Sequence, residues 1–286
     1  MSMLTDKQFW KARPRPSQQD ATLSFNPRRP SFSDLDDLFR RRLPTNQNLS
    51  FLEVGSYPGK YMWYFNKVFG YRISGVEFVE EHCRKMVRLF SDSKIDAEII
   101  QADFFEMKEL APGRQWDVVG SFGFIEHFDG EDLIRCVRQH WELVSPGGYL
   151  VLVVPNHSGF SGKVFKVVDK DSFQGHNQMD QEDLLRVLSE AAPEHVLQES
   201  GYYSRFGLFN SGLYRALGSK SYILQRSFIS AMRPVELAAR LAPNTSYFSP
   251  HVAAVAQKPL LQGETSGLDT TSSRTQLRCG GGGLAE

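Results

Sequence analysis

The sequence predicts an α/β protein on a doubly wound, mostly parallel seven-stranded sheet, with an N-terminal helical segment and a helical cap inserted late in the chain. From Asn48 onward, short β-rich runs alternate with helical patterns, as a parallel sheet covered on both faces requires. The apolar run Phe51-Leu-Glu-Val feeds the glycine-bounded loop Gly55-Ser-Tyr-Pro-Gly59, and an aromatic-rich helical segment follows. A second run closes on Glu77, twenty-two residues after Gly55, where such a sheet carries an acid at the end of its next strand.

Taken in order, residues 1 to about 30 mix proline, arginine and polar residues around the apolar pair Phe9-Trp10. Ser33-Asp34 reads as a cap before Leu35, Leu38 and Phe39, a short amphipathic helix placed to act as a lid. Strands are expected near 50–54, 72–76, 97–101, 117–121, 149–154, 196–203 and 251–257, and helices near 60–69, 79–91, 131–143 and 181–190. Leu133, Val137 and Trp141 recur every four residues and so share one buried face, and Asp180-Gln-Glu-Asp183 is a capped helix start. The expected division is an arm and lid helix over 1–47, a main domain over 48–258 with the apolar cap over 206–248, and a Gly/Ser/Thr-rich disordered tail over 259–286.

Composition narrows the classes. Basic and acidic residues both number 33, which argues against a phosphate-tracking surface and so against a nucleic-acid partner. Lys11, Arg13, Arg15, Arg28, Arg29 and Arg40 to Arg42 make the N-terminal region basic, as a solvated arm or a local polyanion contact. Three unpaired cysteines, Cys83, Cys136 and Cys279, give neither a disulfide framework nor a zinc site and suit a reducing compartment. No apolar run is long enough to span a bilayer, so a cytoplasmic protein without a membrane partner is expected.

The loop Gly55 to Gly59 lets main chain approach a ligand, yet it lacks the G-x-G-x-x-G spacing that seats a pyrophosphate. With Glu77 set for two vicinal hydroxyls, a nucleoside without phosphates fits better. These residues resemble the class I S-adenosylmethionine-dependent methyltransferases. The resemblance continues through Asp103 in the run 97–105, through Trp116-Asp-Val-Val-Gly-Ser-Phe-Gly-Phe-Ile-Glu-His127 as fourth strand and loop, and through Ser145-Pro-Gly-Gly as the turn into a fifth strand. It spans roughly residues 50 to 258 and implies the Rossmann-like fold of that family, with S-adenosylmethionine as cofactor. One departure is Tyr57, where the family often has glycine; a side chain there must avoid positive φ or accept strain.

The resemblance implies roles residue by residue. Glu53 would hold the amino-acid end of the cofactor, Glu77 the ribose and Asp103 the adenine amino group, with Gly55, Ser56, Tyr57 and Gly59 forming the loop around it. Phe78 or Phe104 would flank the adenine ring, with core packing as the alternative, and Ser121, Phe122 and Gly123 would contact the cofactor through backbone. No metal ligand set is expected. Methyl transfer is an in-line displacement, and an oxygen acceptor must lose a proton near the transition state. His127, in the loop after the fourth strand, reads as that general base or as a histidine that shapes the pocket, with His157 and His176 as further candidates. The expected activity is methyl transfer to a small-molecule acceptor at oxygen. The alternatives are an amine or macromolecular acceptor, a non-catalytic cofactor-binding regulator and a nicotinamide-dependent oxidoreductase, which the glycine spacing disfavours.

Overall fold

Residues 30–46, 48–168, 170–204 and 243–260, with isolated positions between 227 and 241, are described by a computed structural model. Most of the expected cap over 206–248, the arm before residue 30 and the tail beyond 260 lie outside the described residues.

Seven strands form one sheet: β1 (Ser50–Val54), β2 (Arg72–Glu77), β3 (Ala97–Gln101), β4 (Trp116–Phe122), β5 (Val144–Pro155), β6 (Val196–Tyr203) and β7 (His251–Gln257), in spatial order 3-2-1-4-5-7-6. β3 through β5 pair in parallel, and β7 runs antiparallel to both β5 and β6. Chain direction across the sheet reverses between β1 and β4, so a crevice opens where their C-terminal ends part, the place where open α/β sheets bind ligands.

Alternating side chains build a core on each face. Leu52, Val119 and Leu152 point to one side, under Leu133, Val137 and Trp141 of α5 (Gly130–Glu142) and Leu184 and Leu188 of α8 (Gln181–Ala191). Phe51, Val118 and Val151 point to the other, under α1 (Pro30–Arg42), α2 (Lys60–Tyr64) and α3 (Glu80–Asp92). The capping box at Asp180 and Asp183 is formed in both directions.

Four local departures have physical causes. α1 starts at Pro30, whose fixed φ suits a first turn, so Ser33 and Asp34 lie inside the helix and do not cap it. Leu35, Leu38 and Phe39 are fully buried, which makes α1 part of the core. The helix expected over 60–69 is α-helical only to Tyr64 and continues as a π-helical turn, Phe65–Phe69, where Phe65 packs on Phe51 with ring centroids 4.2 Å apart. β5 reaches back to Val144 and absorbs the expected Ser145-Pro-Gly-Gly turn, because its pairing with β4 shifts register between Trp116 and Val118. Short helices not foreseen follow β3, as a 3-10 turn (Phe104–Glu106) and α4 (Met107–Leu110), and follow β5, as α6 (Gly159–Val168) and α7 (Lys170–Gln174). No helix among the described residues is long and apolar enough to cross a membrane.

Candidate active site

At the C-terminal end of β1, the following loop needs glycine twice over at position 55. Its φ is 67°, and a methyl group there would come within 2.7 Å of the Phe124 ring. The N–H groups of Gly55 and Ser56 both donate to Val76 O, at 3.0 and 3.1 Å, which ties the loop to β2 instead of presenting those amides outward. Ser56 Oγ also turns inward, to Val76 O and Met86 Sδ. Gly59, at φ 86°, starts α2 and lies against Phe90. Tyr57 escapes strain: the non-glycine residues with positive φ among those described are Lys94 and Ser204. Its ring stacks on His82 at 3.9 Å between centroids.

The acids at this end are held by main chain. Glu53 is buried and its Oε2 accepts the Met62 N–H at 2.9 Å; burial pushes its pKa well above the usual carboxylate range, and that single N–H offsets the effect only in part. Glu77 Oε1 accepts the Val79 N–H at 2.9 Å and lies 3.6 Å from His82 Nδ1. Asp103 caps the 3-10 turn by accepting the Phe105 N–H at 3.1 Å. Phe104 is buried against Phe124 and His140 in the core, whereas Phe78 is half-buried at the edge beside Glu77. Phe122 stacks face to face on Tyr61 at 3.7 Å. Ser121, fully buried and in register with Val54 on β1, has no hydrogen-bond partner for Oγ among the described residues, an orphan of the kind a bound ligand satisfies.

The second cluster lies where β4 and β5 end. Ile125–His127 forms a 3-10 turn after β4, and Gly123, at φ 82°, brings the chain so close that a methyl group there would sit 3.2 Å from Glu126 Oε1. The loop after α7 is laced to this turn: the Asn177 N–H donates to Glu126 O at 2.6 Å and Asn177 Nδ2 to Phe128 O at 3.2 Å. His127 and His176 thereby meet with ring centroids 4.6 Å apart and nearly perpendicular. His127 Nδ1 lies 3.2 Å from Gly175 O, and His157 Nε2 lies 3.2 Å from His176 Nδ1. Phe165 of α6 and Phe173 of α7 pack on His157 and His176 and wall the cluster. Burial drops the His157 pKa to about 4, so this imidazole is neutral at pH 7, and raises that of Glu126 to about 8.

Residues 28–203, more than half of the chain, match a methyltransferase domain family. The chain belongs to that family. The methyltransferase shares its fold with solved structures of low sequence identity. One is the plantazolicin methyltransferase BpumL in complex with S-adenosylhomocysteine, with 16% identity, TM-score 0.55, and 88% of this chain and 93% of that one covered. Another is the [4+2]-cyclase SpnF, with 16% identity, TM-score 0.56, and 79% and 80% covered. A third is geranyl diphosphate C-methyltransferase from Streptomyces coelicolor A3(2), with 14% identity, TM-score 0.52, and 78% and 77% covered. No curated protein matches the sequence. One of these neighbours is named for a cyclisation, so the shared fold carries more than one chemistry. The family match makes this chain a methyltransferase, with S-adenosylmethionine as the family's cofactor.

The methyltransferase brings together three histidines that sequence reasoning considered separately, His127, His157 and His176. It adds Glu126, which was noted only as the neighbour of His127, and His82, whose sequence setting beside Glu80 and Glu81 reads as a solvated helix start. The Glu126-His127 pair at the end of a strand is the signal that could have found the former. Nothing local marks His82, because its contacts with Tyr57 and Glu77 come from the approach of α3 to the β1 loop.

Proposed function

We propose that this methyltransferase transfers the methyl group of S-adenosylmethionine to an oxygen of a small-molecule acceptor, and that the histidine–glutamate cluster handles the acceptor's proton. The observation that carries the reading is the convergence of His127, His157, His176 and Glu126 where β4 and β5 end, with Glu126 and His127 following Phe124, whose ring lies against Gly55. When bound, the cofactor supplies an electrophilic methyl group on sulfonium sulfur. Glu77 and Phe78 are assigned to the ribose and adenine, Glu53 to the amino-acid end, and the orphaned Ser121 Oγ to a cofactor polar atom or a water beside it. Glu53 and Glu77 are each fixed by a main-chain N–H, so they are oriented before a ligand arrives and lose little freedom on binding.

A cluster of imidazoles, whose unperturbed pKa lies near neutrality, suits the proton loss that an oxygen acceptor requires. The balanced charge of the chain and a fold shared with a methyltransferase named for geranyl diphosphate favour a small acceptor. Calorimetry with S-adenosylhomocysteine is expected to give one site per chain, and transfer of labelled methyl from the cofactor to a panel of hydroxylated small molecules is expected to mark the acceptor. Absence of S-adenosylhomocysteine binding would overturn the reading; transfer confined to amines would replace its oxygen acceptor.

A further inference from the structure

The geometry points to a divalent metal site formed by Glu126, His127 and His176, with His157 as the residue that positions His176. One ligand atom from each of the three lies within 4.8 Å of the others. Donor atoms about 2.1 Å from a shared ion sit roughly 3 to 3.5 Å apart, so a pair at the 4.8 Å limit closes by roughly 1.3 to 1.8 Å. Glu126 is 1% exposed and its Oε2 has no hydrogen-bond partner among the described residues. A buried carboxylate oxygen without a partner is costly, and a cation is the ligand that compensates it.

The surrounding contacts have the pattern that holds metal-binding histidines. His127 Nδ1 is within hydrogen-bond distance of Gly175 O, and a proton there makes Nε2 the ligating nitrogen. His176 Nδ1 faces His157 Nε2 at 3.2 Å, a contact of the kind that orients a ligating ring. The rings of Phe165 and Phe173 fix the orientation of this pair. Two imidazoles and one carboxylate suit a first-row transition ion such as manganese, iron, cobalt or zinc, and suit magnesium or calcium poorly.

The inference refines the proposed function, in that the ion's pull on the hydroxyl replaces an imidazole as the cause of proton loss, and it rests on that function for its chemical role. An acceptor hydroxyl on the ion loses its proton to solvent, and its oxygen bonds to the methyl carbon as the carbon–sulfur bond breaks and S-adenosylhomocysteine leaves. In that arrangement His127 acts through the ion and not as the base.

The test uses the full chain, stripped with chelator and titrated with Co2+ alone, followed by absorption spectroscopy and calorimetry, with S-adenosylhomocysteine affinity measured on the same samples. One Co2+ per chain is expected, with a visible spectrum of mixed nitrogen and oxygen ligation. Glu126→Gln and His176→Gln are each expected to weaken binding at least a hundredfold while S-adenosylhomocysteine affinity holds, which shows the fold is intact. His157→Gln is expected to weaken it about ten- to a hundredfold and to shift the spectrum. Absence of saturable Co2+ binding, or binding equally strong in the Glu126→Gln/His176→Gln double variant, overturns the site. Either result with S-adenosylhomocysteine still bound leaves the proposed function standing. Loss of that binding with Co2+ still bound does the reverse.

Discussion

At the cofactor end of the crevice, Glu53 and Glu77 each accept a main-chain N–H at 2.9 Å, whereas at the histidine end Glu126 is equally buried and its Oε2 has no partner among the described residues. The first pair is held by the chain's own backbone. Glu126 Oε2 finds no such donor among the described residues. The two halves of the candidate site thus differ in how their carboxyl groups are held, and substitutions separate them.

The largest expected effect strikes the contact that joins the halves. Gly55→Ala places a methyl group against Phe124 in a left-handed backbone conformation. With about 1–2 kcal/mol for the conformation and about 1–3 for overpacking, urea unfolding is expected to show a loss of about 4 kcal/mol. A result under about 1 kcal/mol would mean the two halves are not packed as described.

The second effect is a pH dependence of opposite sign at the two ends. His140 lies behind the histidine end, against Phe104 and Phe124, and burial drops its pKa from 6.5 to about 4. The unfolded chain therefore takes up this proton before the folded one does. The stability His140 contributes is complete above about pH 6.5 and is lost as pH falls toward about 4, a change of about 3 kcal/mol at roughly 1.4 kcal/mol per pH unit. Glu53, with its pKa raised, works the other way: its contribution is complete below the unfolded value of 4.5 and declines as pH rises through its folded value. Comparing wild type with His140→Phe by denaturation at several pH values is expected to show a gap that closes by about 3 kcal/mol between pH 6.5 and 4. A constant gap would show that His140 titrates normally.

Smaller effects belong to the cofactor end. Glu77→Ala removes a carboxylate already aimed by Val79, and calorimetry is expected to show S-adenosylhomocysteine binding weaker by about thirtyfold, or about 2 kcal/mol. Unchanged affinity would separate Glu77 from the ribose. The smallest change is Glu53→Gln: the amide oxygen still accepts the Met62 N–H and no buried charge is demanded, so thermal unfolding should move by less than about 1 kcal/mol. A larger loss would mean that Glu53 is charged in the fold.

The sheet was legible because its signals are local. Short β-rich runs between helical patterns marked all seven strands, and the capping box at Asp180 marked the start of α8. The places of Gly55, Glu53 and Glu77 were legible too, since they follow from strand ends and from a backbone conformation that needs glycine. The histidine end was legible only as separate residues. Helices α6 and α7, which carry the ring wall of Phe165 and Phe173, are short and were not foreseen. The Asn177 bridge to Glu126 O depends on where that loop lands, which no short-range pattern states.

By itself the sequence determined the strand periodicity, the glycine at the β1 turn and the acids at two strand ends, because each is set by neighbours a few residues away. Only the tertiary structure decided that His127, His157 and His176 share one site with Glu126, that the Gly55 and Ser56 amides are committed to β2, and that Phe104 belongs to the core. These are contacts across tens of residues, fixed by how the two faces of the sheet pack, and a carboxylate oxygen becomes costly only once that packing has taken water away from it.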